Sequence, residues 1–512
     1  MDAIELTLFV KRINAICDEM GGILMRTAFS PNIKDRRDFS CAVFDAEGRL
    51  CGQAAHIPVH LGSMAYAMSD IVSTVNWQPG DMVILNDPYL GGTHLPDVTV
   101  IAPVFYNDSL CAFVTNRAHH ADIGASTPGS MPLSMTLLDE GLVIPPTRII
   151  RNGKLYEDTF TRLLNKLHNP QLARADFIAQ ISTNQVGLHR MLELVRSMSV
   201  TSFKQALVHL NDYAELLALS VMDDLPEGVY EFTDFMDDDG QGLTDIPVKA
   251  TISISRNKIE VDFTGTAPQV KGNINCPLSV TAAAVYYCFY CLMPSETPAN
   301  AGAFKNISIK APLACLVNAS YPSAVTAGNV ETSTRIVDVI LGALANIIPD
   351  KIPAASHGSM NNIAMGAAGW DYYETLGGGM GGNSSNRGLD AIQTHMTNTL
   401  NTPIELLEKY YPLRINQYSV RSGSGGNGKH RGGDGLIRQF EFLDACNVTL
   451  LTERRRYCPW GLAGGEPGRS GINLLNNNPI HGKADFKVKP GDKLTILTAG
   501  GGGWGTPVNR ER

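Results

Sequence analysis

Three glycine-dense stretches, residues 377–382, 423–435 and 500–505, constrain the last part of this chain more than any other feature. Glycine weakens helix and strand interiors by roughly 0.5–1 kcal/mol relative to alanine and favours turns. The stretches therefore predict tight turns between short strands. Glycine makes up 49 of the 512 residues, above its usual share of about 7%. Charged residues make up 18%, below the usual figure of about 25%. A disordered chain would be rich in charge and poor in apolar residues. A coiled coil would be dominated by Ala, Glu, Lys and Leu, and collagen needs glycine at every third position. None of these fits, and no window approaches 18 uncharged apolar residues, so no membrane helix is expected. What remains is a large packed chain with more buried surface and more loop glycine than usual.

The formal net charge is −8, and the densest basic run is only Arg454-Arg455-Arg456. Nucleic acid is therefore not an expected partner. The N-terminus mixes charges from the start and lacks the basic-then-apolar order of a secretory signal. The ten cysteines are scattered, apart from Cys288 and Cys291 in an apolar helical run, and these two read as core thiols. Both features point to a reducing cytoplasm.

Apolar spacing predicts a helix over 3–28, a strand at 39–44 closed by a turn at 45–48, and strands at 82–85, 98–105 and 112–115. Two long helices follow at 171–197 and 201–221. Strands resume at 229–235, 246–254 and 259–263, with further helices at 279–293 and 332–347. After about residue 370 the pattern is short strands and glycine-rich loops. No fixed-period repeat supports a solenoid or propeller. The fold class expected is mixed α+β with more than one domain. The N-terminal region, 1–225, is α/β, carries the candidate site and ends in the helical pair. The C-terminal region, 226–512, is mixed to strand-rich, with a boundary near 223–228.

Histidine is the sharpest chemical signal. Of twelve in the chain, five (His56, His60, His94, His119 and His120) fall between residues 56 and 120, among Asp38, Asp87, Asp97 and Asp122. Imidazole nitrogens with carboxylate oxygens suit borderline divalent ions such as Zn, Mn or Fe. Such an ion acidifies bound water or polarises a carbonyl. The spacing His119-x-x-Asp122 puts two ligand types one turn apart. Read the other way, Asp87 before Pro88 and Asp97 after Pro96 are ordinary turn formers. Residues 423–430 match both G-x-G-x-x-G and G-x-x-x-x-G-K, but Lys429 is followed by His430, and the continuation Arg-Gly-Gly-Asp-Gly is a poor helix start. A phosphate loop is therefore rejected in favour of a structural glycine loop. There is no G-x-S-x-G elbow. Cys41, beside Ser40 and Asp38, sits in an apolar strand where a thiol is usually inert.

The segments RRDFSCAVFD (36–45), HIPVHLGSM (56–64), NDPYLGGTHLPDV (86–98), RAHHADIG (117–124) and AQISTNQVGLHRMLELV (179–195) resemble the hydantoinase B / 5-oxoprolinase family. So do GNINCPLSVTAAAVYY (272–287), AGNVETSTRIVDVILGAL (327–344), YYETLGGGMGG (372–382), THMTNTLNTPIE (394–405), the 411–435 stretch and PWGLAGGEPG (459–468). Related subunits occur in acetone and acetophenone carboxylases. The resemblance implies the B subunit of an ATP-dependent amidohydrolase that opens a hydantoin, 5-oxoproline or lactam with metal-activated water. Phosphorylation would come from a partner A subunit of the actin/hexokinase type, which would bind ATP and Mg, in an α2β2 or larger heteromer. Carried over by position, the metal set is Asp38, His94, His119 and Asp122, with His120 and Asp97 next in line. His120, His56 and His60 would serve the catalytic pocket. A ketone carboxylase subunit is the alternative, and a non-catalytic assembly subunit a third reading.

Overall fold

The computed structural model describes residues 1–54 and 57–507, apart from the side chain of Leu61. Helix α1 (Ala3–Thr27) starts at a capping box in which Asp2 and Glu5 each donate their backbone N–H to the other's carboxylate. It leads through the short α2 (Pro31–Lys34) into the first sheet. That sheet comprises β1 (Phe39–Asp45), β2 (Leu50–Ala54), β3 (Met82–Leu85), β4 (Asp97–Tyr106), β5 (Ser109–His119), β6 (Thr147–Arg151) and β7 (Lys154–Leu155). Its order is β2-β1-β5-β4-β3-β6-β7. Helix α3 (Pro58–Thr74) covers one face, and α1 and α5 (Pro170–Ser197) cover the other. The remaining α-helices of this region among the described residues are α4 (Glu157–Leu164) and α6 (Val200–Met222).

Successive strand residues serve opposite cores. Cys41, Val43, Val100 and Val114 meet the α1–α5 side, while Ala42, Phe44, Ile101 and Phe113 meet Met64, Met68 and Ile71 of α3. With both faces covered, most side chains of the central strands are buried and apolar, which accounts for part of the low charge content. The sequence does not announce α3. Pro58 suits the first helical position, but Ile57 at the cap supplies no side-chain hydrogen bond.

The second sheet, β8 (Gly228–Asp238), β9 (Thr244–Ser255), β10 (Lys258–Asp262) and β11 (Ile307–Lys310), has the order β11-β10-β9-β8. It packs with α7 (Leu278–Tyr290) and α9 (Ser333–Ala345), and the short α8 (Ala301–Phe304) lies between them in the chain. A π-helical turn, Gly328–Thr332, leads into α9. The junction read at 225/226 falls between α6 and β8, and Ile57, Val59 and Met131 from before it share the second core with residues from after it. Helix α3 crosses α7 so closely that a Cβ at Gly62 would lie 2.4 Å from Ala283 Cα.

The C-terminal strands are β12 (Asn362–Ala367), β13 (Trp370–Glu374), β14 (Leu413–Arg421), β15 (Gly435–Phe442), β16 (Cys446–Leu451), β17 (Ile472–Leu475), β18 (Asn478–Ile480), β19 (Lys483–Val488) and β20 (Lys493–Leu497). They form two sheets, β13-β12-β16-β19 and β14-β15-β20-β17-β18, with α10 (Ile404–Tyr410) leading into β14. One core lies between them. The architecture is of the mixed α+β class expected, and it is built on four sheets among the described residues. No helix among the described residues is long and apolar enough to cross a membrane. Cys288 is buried, whereas Cys291 is exposed.

The glycine stretches are not mainly tight turns, which corrects the expectation. Only Gly423 and Gly505 within them have positive φ. The stretches pack backbone to backbone: Gly379 N–H donates to Ala499 O, Gly433 N–H to Met380 O, Gly501 N–H to Gly433 O and Gly426 N–H to Gly501 O. A Cβ at Gly433 would lie 1.9 Å from Leu389 O, and one at Gly501 2.1 Å from Met380 O. Glycine is required there for close approach rather than for its turn conformations. The amides that would cradle a phosphate are used internally, since Lys429 N–H donates to Gly505 O, His430 N–H to Trp504 O and Gly425 N–H to Asp434 Oδ1.

Candidate metal centre

Strand alternation decides which histidines meet. On β5, Arg117 points toward α3, where its Nη1 donates to Ser63 Oγ. Asn116 points the other way and donates to Gln180 O on α5. His119 shares the Arg117 face, whereas His120 turns to α5, 2.9 Å from Gln180 Oε1 and against the Phe177 ring. The sheet then supplies partners for His119. Asp97 at the start of β4 lies opposite His119 at the end of β5. Asp38 immediately precedes β1, and its carbonyl accepts the His119 N–H at 3.0 Å. His94 arrives on the loop before β4, whose Asn86 clamps Leu95 O and Ile144 N.

These four side chains and His60 line one small cavity. His94 Nε2 is 3.3 Å from Asp97 Oδ2, and His119 Nδ1 is 3.5 Å from Asp97 Oδ1 and 3.9 Å from Asp38 Oδ2. His94, Asp97 and His119 can each offer one ligand atom, all within 4.8 Å of one another, and all three residues are buried. His60, in the first turn of α3, bridges Ser40 Oγ and Asp97 Oδ2, both at 3.2 Å. Thr93 and Asn329 also donate to Asp97 Oδ2. Three buried atoms in this cluster have no hydrogen-bond partner: His94 Nε2, Asp97 Oδ1 and His119 Nε2.

A buried polar atom without a hydrogen bond is costly, and the convergence of one ligand atom from each of His94, Asp97 and His119 within 4.8 Å fits a divalent cation. The electrostatics at His119 and Asp97 favour an ion, while His94 in its absence is held toward the protonated form by Asp97. Burial holds His119 below the usual imidazole range, favouring the neutral ring that a metal needs. Burial alone would raise the Asp97 carboxyl, but the His94 and His60 imidazoles hold it well below the usual carboxylate range. Burial opposes protonation of His94, and the Asp97 carboxylate outweighs it, raising that imidazole. The cavity volume of ≈ 20 Å³ suits a single water-sized particle rather than a ring-sized substrate.

The other sequence-derived candidates lie elsewhere. Residues beyond His119 leave the sheet in irregular conformation, so the one-turn spacing of His119 and Asp122 does not apply. The Asp122 carboxylate accepts Gly124 N–H and Asn169 N–H and faces His168 Nδ1 at 3.2 Å. With His120 it lines a separate cavity of ≈ 450 Å³. His56 lies outside the described residues. Cys41 is fully buried, and burial pushes its thiol well above the usual range, which leaves it inert as a nucleophile. Sequence reasoning missed Tyr373, Thr326 and Asn329, which reach the site from the far half of the chain. Tyr373 and Asn329 stand in recognised motifs, but nothing in their spacing pointed to His119 or Asp97.

The sequence model of the family described as Hydantoinase B/oxoprolinase matches residues 2–507. The chain belongs to this family. A 5-oxoprolinase of Dictyostelium discoideum is 39% identical over 520 residues, covering 99% of this chain and 40% of that protein. The chain thus spans about two-fifths of that hydantoinase B/oxoprolinase relative's length. The crystal structure of an ATP-dependent caprolactamase from Pseudomonas jessenii is similar with a TM-score of 0.90 and 26% identity, over 99% of this chain and 91% of that one. A nucleotide-free acetone carboxylase shares the fold, with a TM-score of 0.89 at 18% identity, over 100% of this chain and 76% of that one.

Proposed function

We propose that this chain is the hydrolytic B-type subunit of an ATP-dependent enzyme that opens a cyclic amide of the hydantoin, 5-oxoproline or lactam class. The observation that carries this reading is the buried His94–Asp97–His119 cluster with its three unpartnered donor atoms. Membership of the hydantoinase B/oxoprolinase family and the likeness to 5-oxoprolinase and caprolactamase support the substrate class. The Gly425, Lys429 and His430 amides are used internally, which leaves that loop unsuited to cradle a phosphate and fits ATP and Mg binding on an A-type partner in a heteromer.

His94, Asp97 and His119 would hold a divalent ion of the Zn, Mn or Fe type, with Asp38 beside them. Such an ion supplies Lewis acidity, polarising a carbonyl and making water more acidic. Asp97 Oδ2 is fixed by Thr93, His60 and Asn329, which aims Oδ1 into the cluster. His60 is held in turn by Ser40, so its role is to orient Asp97. Asp38 lines the same cavity, and in this scheme its carboxylate would accept a proton from attacking water. Asp122 and His120 take no part in ion binding in this scheme. The hydrolase reading is preferred over a carboxylase because the named hydrolase relatives are 26–39% identical, whereas the carboxylase likeness at 18% extends to the fold alone.

Metal analysis of the purified chain, with His119→Ala assayed in the complex reconstituted with an A-type subunit, tests the site. Stoichiometric Zn, Mn or Fe and an inactive variant are expected. No metal together with full activity of the variant would contradict the proposal.

A further inference from the structure

Glu140 is buried in the N-terminal region at the end of a 3-10 turn, Leu137–Glu140, and takes no part in the site described above. Its Oε1 accepts three hydrogen bonds: from Ser134 Oγ at 2.8 Å, Val325 N–H at 2.8 Å and Thr326 N–H at 2.9 Å. Val325 and Thr326 lie far along the chain, in the segment that leads into α9. Two residues further on, Ala327 N–H and Gly328 N–H both donate to Asn273 O, and Asn273 Nδ2 donates to Pro132 O. Residues 325–328 are thus gripped from both ends by groups anchored to 132–140.

The gripped segment presents the Thr326 carbonyl to His94 Nδ1 at 3.4 Å. A carbonyl oxygen only accepts hydrogen bonds, so this contact places the ring proton on Nδ1. When the ring is neutral, as ion binding requires, its lone pair is then on Nε2, which makes no hydrogen bond and stands 3.3 Å from Asp97 Oδ2. Metal-binding histidines characteristically donate their second ring N–H to an outer group that fixes tautomer and ring orientation. Here that group is a backbone carbonyl, and the carbonyl is itself placed by a carboxylate.

We propose that Glu140 is a positioning residue for His94: it holds Thr326 so that its carbonyl fixes the His94 tautomer and leaves Nε2 for the ion. The proposal rests on the metal-centre reading above and adds a residue that no spacing rule links to His94. Outer-group replacements of this kind typically weaken metal binding by about 10- to 100-fold.

The test is titration of the full-length chain with Co2+, read by its visible absorption, alongside thermal melting. Glu140→Ala is expected to bind Co2+ about 10- to 100-fold more weakly, with an altered spectrum. Glu140→Gln keeps an oxygen that can accept the Val325 and Thr326 N–H groups and is expected to restore binding to within roughly threefold. Glu140→Ala binding as tightly as the unsubstituted chain, or Glu140→Gln binding as weakly as Glu140→Ala, would overturn the proposal. Should Glu140→Ala not fold, Glu140→Asp draws the acceptor back by one methylene, and unchanged Co2+ binding in that variant would overturn it. His94→Ala separates the two layers of inference. Unchanged Co2+ binding there would refute the metal centre itself, whereas loss there with an unaffected Glu140→Ala would refute only the role of Glu140.

Discussion

The ring of Tyr373 lies parallel to that of His119, with centroids 4.9 Å apart and planes within 3°. The fully buried Arg36 guanidinium sits over the same tyrosine ring at 4.7 Å. The Tyr373 hydroxyl donates to Asn362 Oδ1 at 2.7 Å. A residue of β13 therefore fixes the plane of a histidine on β5, and the C-terminal region completes a site built mainly from the N-terminal one. Aromatic stacking of this type is worth about 0.5–1.5 kcal/mol. Tyr373→Phe, which keeps the ring, is expected to retain Co2+ affinity, and Tyr373→Leu to lose roughly 3- to 10-fold. Paired Co2+ titrations check this, and equal affinities in the two variants would count against an orienting role for the ring.

Asp97 and Asp122 are expected to respond oppositely to truncation. Asp97→Ala removes the carboxylate shared by His60, His94 and His119 and should abolish stoichiometric metal binding. Asp122→Ala only frees Gly124 N–H, Asn169 N–H and His168. It should leave metal content intact while lowering stability by about 1–3 kcal/mol. Metal analysis and denaturant unfolding of both variants distinguish the two roles. Loss of metal in Asp122→Ala would restore it to the ligand set.

Stability should fall as the solution becomes more alkaline. Burial, reinforced by the charge of Glu453, pushes Glu331 up to about 8 from an ordinary 4.5. Burial likewise pushes Glu140 up to about 7. Between the unfolded and folded values the native chain holds protons that the unfolded chain has released, so stability declines as pH rises through that window and levels off above the folded value. The melting temperature is expected to drop between pH 5 and pH 8.5. Glu331→Gln should flatten the upper part of the profile. A slope unchanged in the variant would show that Glu331 is not protonated in the native state.

Gly433→Ala is a severe test of the glycine layer. Its Cβ would stand 1.9 Å from Leu389 O and 2.5 Å from Leu389 C, contacts that no rotamer can relieve. A loss of about 2–3 kcal/mol or more is expected, visible as a lower denaturant midpoint. Gly423→Ala meets no atom within 4 Å and carries only the cost of positive φ, roughly 1 kcal/mol. Similar losses in the two variants would contradict close approach as the reason for glycine at 433.

Much of this architecture was legible in the sequence. The long helices at 170–197 and 200–222 and the strand at 82–85 show clear periodicity or short apolar runs bounded by turns. Helix α3 was not legible, because its start carries no capping side chain and its apolar residues serve two neighbours, the sheet and α7. At the site, histidine crowding located the region, and of the acids named from the sequence Asp38 and Asp97 line the cavity with His94 and His119, whereas Asp122 lines another. Asp97 and His119 are cross-strand neighbours, a relationship set by β4–β5 register, whereas Asp122 is near His119 only along the chain. The same alternation separated His119 from His120, which sequence alone left open. Tyr373 and Thr326 reach the site through contacts spanning more than 200 residues, and no local pattern encodes such contacts.

The most direct measurement is ring opening by the purified chain combined with an A-type ATPase partner and ATP, across hydantoins, 5-oxoproline and lactams. The expected result is ATP-dependent release of the ring-opened acid from at least one of these, abolished by His94→Ala, Asp97→Ala and His119→Ala. Bicarbonate-dependent consumption of a ketone, with no ring-opened product from any cyclic amide, would contradict the hydrolase assignment.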